Sequence, residues 1–358
     1  SASSITFEGA NASGDQLTVA TGGSLSATGL ITIGAANDTT EIENINLSGN
    51  ITADSDTSGE EDLSFLSNTP RGVTVTFDTS GVALNSGTGQ IIGANSIFAA
   101  GGNSPSFLSN RGVSWNSLTA SGGTLTLAPV SAGTAINIAG TGGYEISDAT
   151  LDGISNDFDK VTIGTSDSGA VTIGADSGNP LDLSTNSSTW DLEIIGGASG
   201  SFVVGSAGTV TLNSGQTLIL NSASANITQT NEILGGGELE LKGAGDVTLT
   251  NASNNLSILK ASNSGNLNYR DTDAIGLGTI TTAALTVNAG GAVTDSGTVS
   301  ITGLADLTGG TITINDTFNA GTLTFNSAGA VSIGENSATA LAGTNTALSL
   351  DLDSTGAI

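Results

Sequence analysis

The sequence predicts an all-β protein and, within that class, a parallel β-helix, or β-solenoid, in which short strands stack coil upon coil. Short apolar–polar–apolar pulses, such as Ile31-Thr32-Ile33 and Val171-Thr172-Ile173, recur along the whole chain, and alternation at period two is the pattern of a strand with one buried face. The segments between the pulses are rich in Gly, Ser, Asn and Asp, which form turns. No segment shows the 3.6-residue period of an amphipathic helix, so we expect essentially no helix.

The spacing of the pulses favours a solenoid over other all-β folds. Pulse centres step by ten residues from Thr162 to Thr172, Asp182 and Leu192. Two such pulses make a coil of roughly 20 residues, which predicts about 18 coils for the 358 residues. The turn segments are loose clusters of Gly, Ser and Asn, whereas tight hairpins favour Asn-Gly or Asp-Gly. We therefore predict a single β-solenoid over residues 1–358, with tandem antiparallel β-sandwiches as the alternative.

The composition excludes several classes of function. Six Lys and Arg residues against 33 Asp and Glu give a formal net charge of −27, and the chain has no Cys and no His. Zinc fingers, haem ligation, disulfides and catalysis by a thiolate or an imidazole therefore lack their residues, and a bound metal would need oxygen ligands. The charge disfavours nucleic acid and anionic membranes as partners. No apolar run approaches the roughly 18 residues of a membrane span, so no membrane insertion is expected.

Residues 54–120 are less regular and contain a duplicated segment. Residues 64–68 and 106–110 have the same sequence, Ser-Phe-Leu-Ser-Asn, and Arg-Gly-Val follows each copy closely. We interpret residues 64–73 and 106–113 as duplicated loop insertions. The phenylalanines of the two copies, Phe65 and Phe107, either pack on the solenoid or belong to lateral protrusions that contact a partner.

The strongest local motif is the acidic segment 54–62, which begins Asp-x-Asp-x-Ser-Gly. Its candidate oxygen ligands are Asp54, Asp56, Ser58, Glu60 and Asp62. Glycine at the sixth position and an acidic residue at the ninth match the first part of a calcium loop, whereas the twelfth position, where a glutamate would supply two oxygens, is Phe65. The segment is therefore either a weak calcium site or a solvated acidic loop.

Carboxylate pairs raise the alternative of a carbohydrate-active enzyme. Asp157 with Asp159, and Asp271 with Asp273, are each separated by one residue. An i, i+2 pair within a strand projects from one face, an arrangement that a glycosidase could use; each pair is also typical of a turn. Two Trp and two Tyr residues are little material for a cleft that stacks sugars. We therefore expect the protein not to be an enzyme.

Three segments resemble the repeats of large filamentous-haemagglutinin-type bacterial exoproteins. They are residues 158–164 (Phe-Asp-Lys-Val-Thr-Ile-Gly), the Asn-rich residues 245–256 and the Gly-rich residues 289–299. The resemblance implies a right-handed parallel β-helix, secretion, and a role as a surface adhesin or an extracellular fibre, as in a biofilm. Such exoproteins usually begin with a secretion domain that carries Asn-Pro motifs, whereas Asn-Pro occurs here once, at Asn179-Pro180.

Together these observations predict an extracellular structural or adhesive protein of a bacterial cell surface. We expect it to be rod-like and to associate with other copies of itself, head-to-tail into fibres or laterally, and with surface glycans or host and neighbouring cells. Neither end of the sequence resembles the polar cap of a solenoid, so we expect either a fragment or stacking of one copy on the next. Calcium is the one cofactor that the sequence suggests. The alternatives are a carbohydrate-active β-helix enzyme and a passive spacer module of a longer exoprotein.

Overall fold

The structure is a computed structural model that describes residues 5–7, 16–27, 30–33, 44–53, 62–65, 73–77, 79, 81–86, 89–175, 180–184 and 189–358. The chain forms two compact units, the first from residues 1–170 with 185–193 and the second from residues 171–184 with 194–358. In the described residues the regular structure is β-strand apart from one short helix. None of this part of the chain forms a helix long and apolar enough to span a membrane.

The first unit carries strands that are mostly short, with β10 and β12 as the longer ones, and the helix α1 (Asp148–Asp152). Its strands are β1 (Ile5–Phe7), β2 (Gln16–Val19), β3 (Ser24–Ala27), β4 (Ile31–Ile33), β5 (Asn44–Leu47), β6 (Asn50–Ala53), β7 (Leu63–Phe65), β8 (Val73–Phe77), β9 (Ala83–Asn85), β10 (Ile91–Gly101), β11 (Ser106–Leu108), β12 (Val113–Ala120), β13 (Thr124–Ala128), β14 (Ile136–Ile138), β15 (Tyr144–Ile146) and β16 (Lys160–Gly164).

The second unit carries longer strands towards its carboxy-terminal end. Its strands are β17 (Val171–Ile173), β18 (Leu181–Asp182), β20 (Phe202–Val204), β21 (Val210–Thr211), β22 (Thr217–Ser222), β23 (Ile227–Gln229), β24 (Ile233–Leu234), β25 (Glu238–Gly243), β26 (Val247–Leu249), β27 (Ile258–Asn263), β28 (Asn266–Asp271), β29 (Ile275–Thr282), β30 (Ala284–Ala289), β31 (Ala292–Asp295), β32 (Val299–Gly309), β33 (Thr311–Ser327), β34 (Ala330–Glu335) and β35 (Ser349–Ser354), while β19 (Asp191–Gly196) has residues in both units.

The strands pair in parallel with strands one coil away. In the first unit, Ile45 of β5 pairs with Leu17 of β2 on one side and with Val75 of β8 on the other. In the second unit, β25 lies in the same way between β22 and β27. Parallel neighbours that are a full coil apart in sequence define a solenoid, so the predicted β-solenoid is confirmed and the antiparallel sandwiches are excluded. The right hand that the resemblance implies stays a prediction.

The coil length is nearly constant from β22 onwards. Leu218 pairs with Leu239, and Leu239 pairs in turn with Leu259. Nearer the carboxy-terminal end, Val331 pairs with Leu350. The members of these three pairs are separated by closely similar lengths of chain, so the predicted coil of roughly 20 residues describes this part of the second unit.

Coils of the first unit vary more in length, and some of them are much longer. Ile31 pairs with Leu63, and Leu125 pairs with Val161, so each of these coils is more than half again as long as the coil that begins at Leu218. The second of them is long because β14, β15 and α1 lie between the paired strands. The figure of about 18 coils assumes a uniform coil of roughly 20 residues, so it does not hold for the first unit.

The core of each unit consists of the inward side chains of the alternating strands. In β30, Leu285 and Val287 are completely buried, whereas Thr286 between them faces outward and is only partly covered. Each completely buried Leu or Val stabilises the fold by about 1.5–3 kcal/mol relative to an exposed one. The aliphatic interior is thin because each short strand turns only the apolar residues of its alternating pattern inward.

Helix α1 is the one departure from strand structure in the described residues, where the sequence predicts essentially no helix. Ser147 caps its first turn, because the Ser147 Oγ accepts a hydrogen bond from the Thr150 N–H at 3.1 Å. Gly153 caps the carboxy-terminal end of the helix, and a Cβ atom there would lie 3.1 Å from the Trp115 ring. A Ser before and a Gly after a short segment are recognisable helix boundaries, although five residues are too few to show a helical period.

Candidate functional site

The predicted calcium segment is described at one residue only. Asp54, Asp56, Ser58 and Glu60 lie outside the described residues. Asp62 is described, and its Oδ1 accepts a hydrogen bond from the Gln90 N–H at 2.9 Å. Asp62 therefore joins two neighbouring coils, and the calcium site stays a prediction. In the described ranges, no three Asp or Glu residues are close enough together to hold a metal ion.

The two duplicated phenylalanines lie in the core of the first unit. Phe65 and Phe107 are completely buried. Their rings contact Phe98 with centroids 5.4 and 5.3 Å apart, and Phe107 also contacts Phe77 and Trp115 at 5.8 and 5.1 Å. The interpretation that these residues pack in the solenoid is confirmed, and neither ring is available to a partner.

The segment 106–113 begins as strand β11 and turns through a tight corner at residues 109–112, so its first residues are strand and not a loop insertion. The Gly112 N–H donates to the Ser109 Oγ at 2.9 Å, and that hydroxyl donates to the Gly112 carbonyl at 2.7 Å. Asn110 reaches the next coil, where its Oδ1 accepts hydrogen bonds from the N–H groups of Val130 and Ser131. The other copy continues through residues 66–72, which lie outside the described residues.

Asp159 acts as a backbone cap. Its Oδ2 accepts a hydrogen bond from the Gly123 N–H at 3.0 Å, and its own N–H donates to the Gly123 carbonyl at 3.0 Å. Asp157 is exposed. The pair therefore behaves as a turn, because one member is engaged with the backbone of the neighbouring coil.

Asp271 and Asp273 do not project from one strand face, which leaves the turn as the arrangement of this pair. Strand β28 ends at Asp271 and turns its side chain into the core, whereas Asp273 lies in the turn that follows. The Asp271 Oδ2 accepts hydrogen bonds from the Tyr269 hydroxyl at 2.6 Å and from the Leu256 N–H at 3.1 Å, and its Oδ1 accepts one from the Asp273 N–H. The carboxylate is therefore a structural group in the core.

Burial dominates the electrostatics of this network. Burial raises the pKa of the Asp271 carboxyl, although the hydrogen bond from Tyr269 opposes the shift. Burial, reinforced by the negative charge of Asp271, raises the pKa of the Tyr269 hydroxyl. The tyrosine therefore keeps its proton and remains a hydrogen-bond donor to the carboxyl group at this turn.

An inward asparagine that sequence reasoning missed connects three coils. Asn254 is completely buried. Its Oδ1 accepts hydrogen bonds from the Gln229 Nε2 at 2.5 Å and from the Ile233 N–H at 2.9 Å, and its Nδ2 donates to the Arg270 carbonyl at 3.1 Å. No sequence signal separates it from its neighbour Asn255, because the partners come from different coils.

Polar residues also close the strand ends at corners of the form Ser/Asn-x-Gly. The Asn263 Nδ2 donates to the Gly265 carbonyl, and the Gly329 N–H donates to the Ser327 Oγ, both at 3.1 Å. A Cβ at Gly265 would lie 2.4 Å from the carbonyl oxygen of Gly245 on the coil below. Such a distance excludes any side chain, so glycine allows these coils to stack.

Each of the three lysines forms an ion pair. Lys160 binds Glu193 at 2.7 Å, in the first unit. In the second unit, Lys260 binds Glu238 at 2.5 Å and Lys242 binds Glu240 at 3.2 Å. These pairs are partly exposed and so contribute little stability individually.

One shallow cavity lies beside α1 in the first unit. It has a volume of about 330 Å³ and is lined by Asn116, Ser117 and residues 152–156. Ser155 fixes one wall, because its Oγ accepts a hydrogen bond from the Ala120 N–H at 3.0 Å. The amide, hydroxyl and carboxylate groups of the lining could hydrogen-bond a polar ligand.

Comparison with known proteins identifies a repeat in the second unit. Residues 264–326 match the model of a family described as repeats of unknown function (DUF5649). The matched residues reach from β28 into β33, where the strands pair in parallel from coil to coil. No curated protein and no solved structure matches the chain. The protein is thus a β-solenoid in which residues 264–326 are similar to this repeat family.

Proposed function

We propose that this protein is an extracellular structural and adhesive element of a bacterial cell surface. It displays rows of polar side chains to glycans or neighbouring cells and associates with further copies of itself. The parallel solenoid, the repeat and the resemblance to filamentous-haemagglutinin-type exoproteins support this role.

The observation that carries the proposal is a row of short polar side chains on the outside of the second unit. We call it the display row: Thr228, Thr248, Asn268, Thr286, Asp306 and Thr324. Each residue pairs in register with the next, so polar groups follow one another at about 4.8 Å, the spacing of neighbouring strands. Many weak contacts at a fixed spacing add up to firm attachment when the ligand also repeats.

The placement of the carboxylates and aromatic rings favours display over catalysis. Asp271 and Glu335 are buried and accept hydrogen bonds from backbone N–H groups. A glycosidase would instead direct two carboxylates into a groove. Trp115, Trp190 and Tyr144 are buried as well, so these rings offer no platform to a sugar.

The charge of the chain supports contacts that depend on ionic strength. The net charge is −27, and all three lysines are already paired with glutamates. Copies therefore repel one another at low salt, and the repulsion weakens when salt or divalent cations screen it over a Debye length of about 8 Å. Self-association is expected to rise with ionic strength.

Adhesion of coated beads tests the proposal. Beads carrying the folded chain are expected to bind bacterial or host cells better than beads carrying heat-unfolded chain. The variant Thr248→Ala/Asn268→Ala/Thr286→Ala removes the centre of the display row and is expected to reduce binding severalfold. The matched control, Thr294→Ala/Thr313→Ala/Ser332→Ala, changes another outward row and is expected to retain binding. Equal binding by folded and unfolded chain would contradict adhesion and favour a passive spacer.

A further inference from the structure

One inward column of the second unit changes from apolar to acidic. We call it the core column, and its members pair in register from coil to coil: Leu220, Leu241, Ala261, Ile280, Val299, Phe318, Glu335 and Ser354. The first six are buried apolar residues. Glu335 thus places a carboxyl group where every preceding coil of the column has an apolar side chain.

The Glu335 carboxylate is enclosed and half satisfied. The residue is 2% exposed. Its Oε1 accepts hydrogen bonds from the Ala320 N–H at 3.0 Å and from the Ser337 Oγ at 2.9 Å. Its Oε2 is buried without any hydrogen-bond partner among the described residues. A buried carboxylate oxygen without a partner is strongly unfavourable, so a proton, a water molecule or a cation is needed there.

A second unsatisfied oxygen lies on the same stretch of chain. The Thr339 Oγ1 is buried and has no hydrogen-bond partner among the described residues. The main chain around it is fixed, because the Thr339 N–H donates to the Ala357 carbonyl at 2.8 Å. The last residue of β34 and the segment that follows it therefore each hold one buried oxygen atom that is available as a ligand.

No basic side chain of this region can neutralise Glu335. The last basic residue in the sequence is Arg270, so residues 271–358 contain no Lys and no Arg, while eight Asp and Glu residues lie among them. An acidic surface raises the local concentration of cations. The charge balance thus favours a bound cation over an internal ion pair.

We propose that the Glu335 Oε2 and the Thr339 Oγ1 bind a hard cation, with calcium preferred, at the inner end of β34. Carboxylate and hydroxyl oxygens are ligands for hard cations, and calcium accepts irregular geometry and completes its shell with backbone carbonyls and water. A single carboxylate gives low affinity, with a dissociation constant of about 10⁻⁴–10⁻³ M, as in extracellular calcium modules. The site is distinct from the acidic segment 54–62 and independent of the adhesive role.

Cation titration of the chelator-treated full chain tests the site. Thermal unfolding and isothermal titration are measured with CaCl₂, MgCl₂ and NaCl, at an ionic strength held constant with choline chloride. Calcium is expected to raise the melting temperature of the native chain and to bind with measurable heat. Glu335→Gln keeps the shape of the side chain but removes its charge, and is expected to weaken calcium binding about tenfold or more.

Two further variants make the result decisive. Asp351→Asn neutralises an exposed carboxylate on β35 and is expected to leave calcium binding unchanged. Thr339→Val keeps the Glu335 carboxylate but removes the hydroxyl, and it is expected to weaken calcium binding severalfold. This variant still tests the site if Glu335→Gln does not fold. A response to Na⁺ that is lost in Glu335→Gln supports the site with a monovalent occupant. An identical calcium response in the native chain, Glu335→Gln and Thr339→Val would overturn the proposal.

Discussion

The carboxylate of Asp246 accepts a hydrogen bond from the backbone N–H of Asn266 at 2.7 Å, 20 residues further along the chain. One coil below, Asn226 makes the equivalent contact with the Asp246 N–H at 2.9 Å. The two contacts form a ladder in which the side chain at each turn binds the backbone at the same turn of the next coil. Side-chain contacts at the turns of this solenoid therefore help to fix the register between neighbouring coils, in addition to the pairing of the strands.

The ladder predicts a specific loss of stability in Asp246→Ala. The substitution leaves the Asn266 N–H without its acceptor and is expected to lower the free energy of unfolding by about 1 kcal/mol, the net value of one such bond. Asp246→Asn keeps an acceptor oxygen and is expected to stay close to the native value. Urea unfolding measures both variants, and equal losses in the two would show that charge, not the hydrogen bond, matters at this turn.

Asn254→Ala is expected to be far more harmful than Asn255→Ala. The buried Asn254 amide accepts hydrogen bonds from the Gln229 side chain and from the Ile233 N–H. Its removal leaves these buried donors without a partner and is expected to lower the free energy of unfolding by about 2–4 kcal/mol. Asn255 makes one exposed side-chain contact, to Asp273 at 3.3 Å, and serves as the control. Similar unfolding midpoints for the two variants would contradict the assigned network.

The buried Asp271 predicts that stability depends on pH with a definite sign. Burial raises its pKa in the folded state above the unfolded value of about 3.9. Between the unfolded and the folded pKa of Asp271, the folded state binds more protons than the unfolded state. The contribution of Asp271 to the free energy of unfolding therefore falls as pH rises through the folded pKa, and it returns when the pH is lowered. Unfolding measured from about pH 4 upwards to neutral pH is expected to show this slope in the native chain.

Asp271→Asn separates the titration of this residue from that of the surface. The variant is expected to be less stable, because its amide nitrogen would face a backbone donor in either orientation, the Leu256 N–H or the Asp273 N–H. Its pH–stability curve is expected to lack the part of the slope that Asp271 contributes. Asp246→Asn, at an exposed position, retains that part. A slope that survives unchanged in Asp271→Asn would assign it to surface repulsion.

The aromatic cluster of the first unit predicts a large effect of Phe107→Ala. Phe107 packs against Phe98 at 5.3 Å and against Trp115 at 5.1 Å, and truncation of a buried phenylalanine destabilises by about 3–5 kcal/mol. Phe107→Leu keeps most of the volume and is expected to cost less. Tryptophan fluorescence during unfolding reports the change, and an unaltered transition in Phe107→Ala would contradict a buried ring.

Strands and their inward faces could be predicted from the sequence because alternation at period two survives in nearly every pulse. The pairing of Val331 with Leu350 follows from evenly spaced turns. The pairing of Leu125 with Val161 could not be predicted, because extra strands and α1 in the same coil look like further pulses. Pulse spacing identifies strands without identifying which strands pair.

The candidate sites were harder to predict because their geometry depends on where a strand ends. Alternation places Asp271 and Asp273 on one face only if the strand continues, and it ends at Asp271. Glu335 has no local signature, since its significance lies in the apolar Phe318 one coil below. Such relations between coils become visible only when the register is known.

Distances between spin labels test the stacked register most directly, and the chain has no cysteine that would interfere. Labels on Thr228→Cys and Thr324→Cys lie five coil steps apart along the display row. We predict a narrow distribution at about 24 Å between the backbones, since each step adds about 4.8 Å, and a separation about 4.8 Å shorter when Asp306→Cys replaces the second site. A broad distribution, or a distance that does not grow by one step per coil, would contradict the parallel stack on which the display row and the core column both depend.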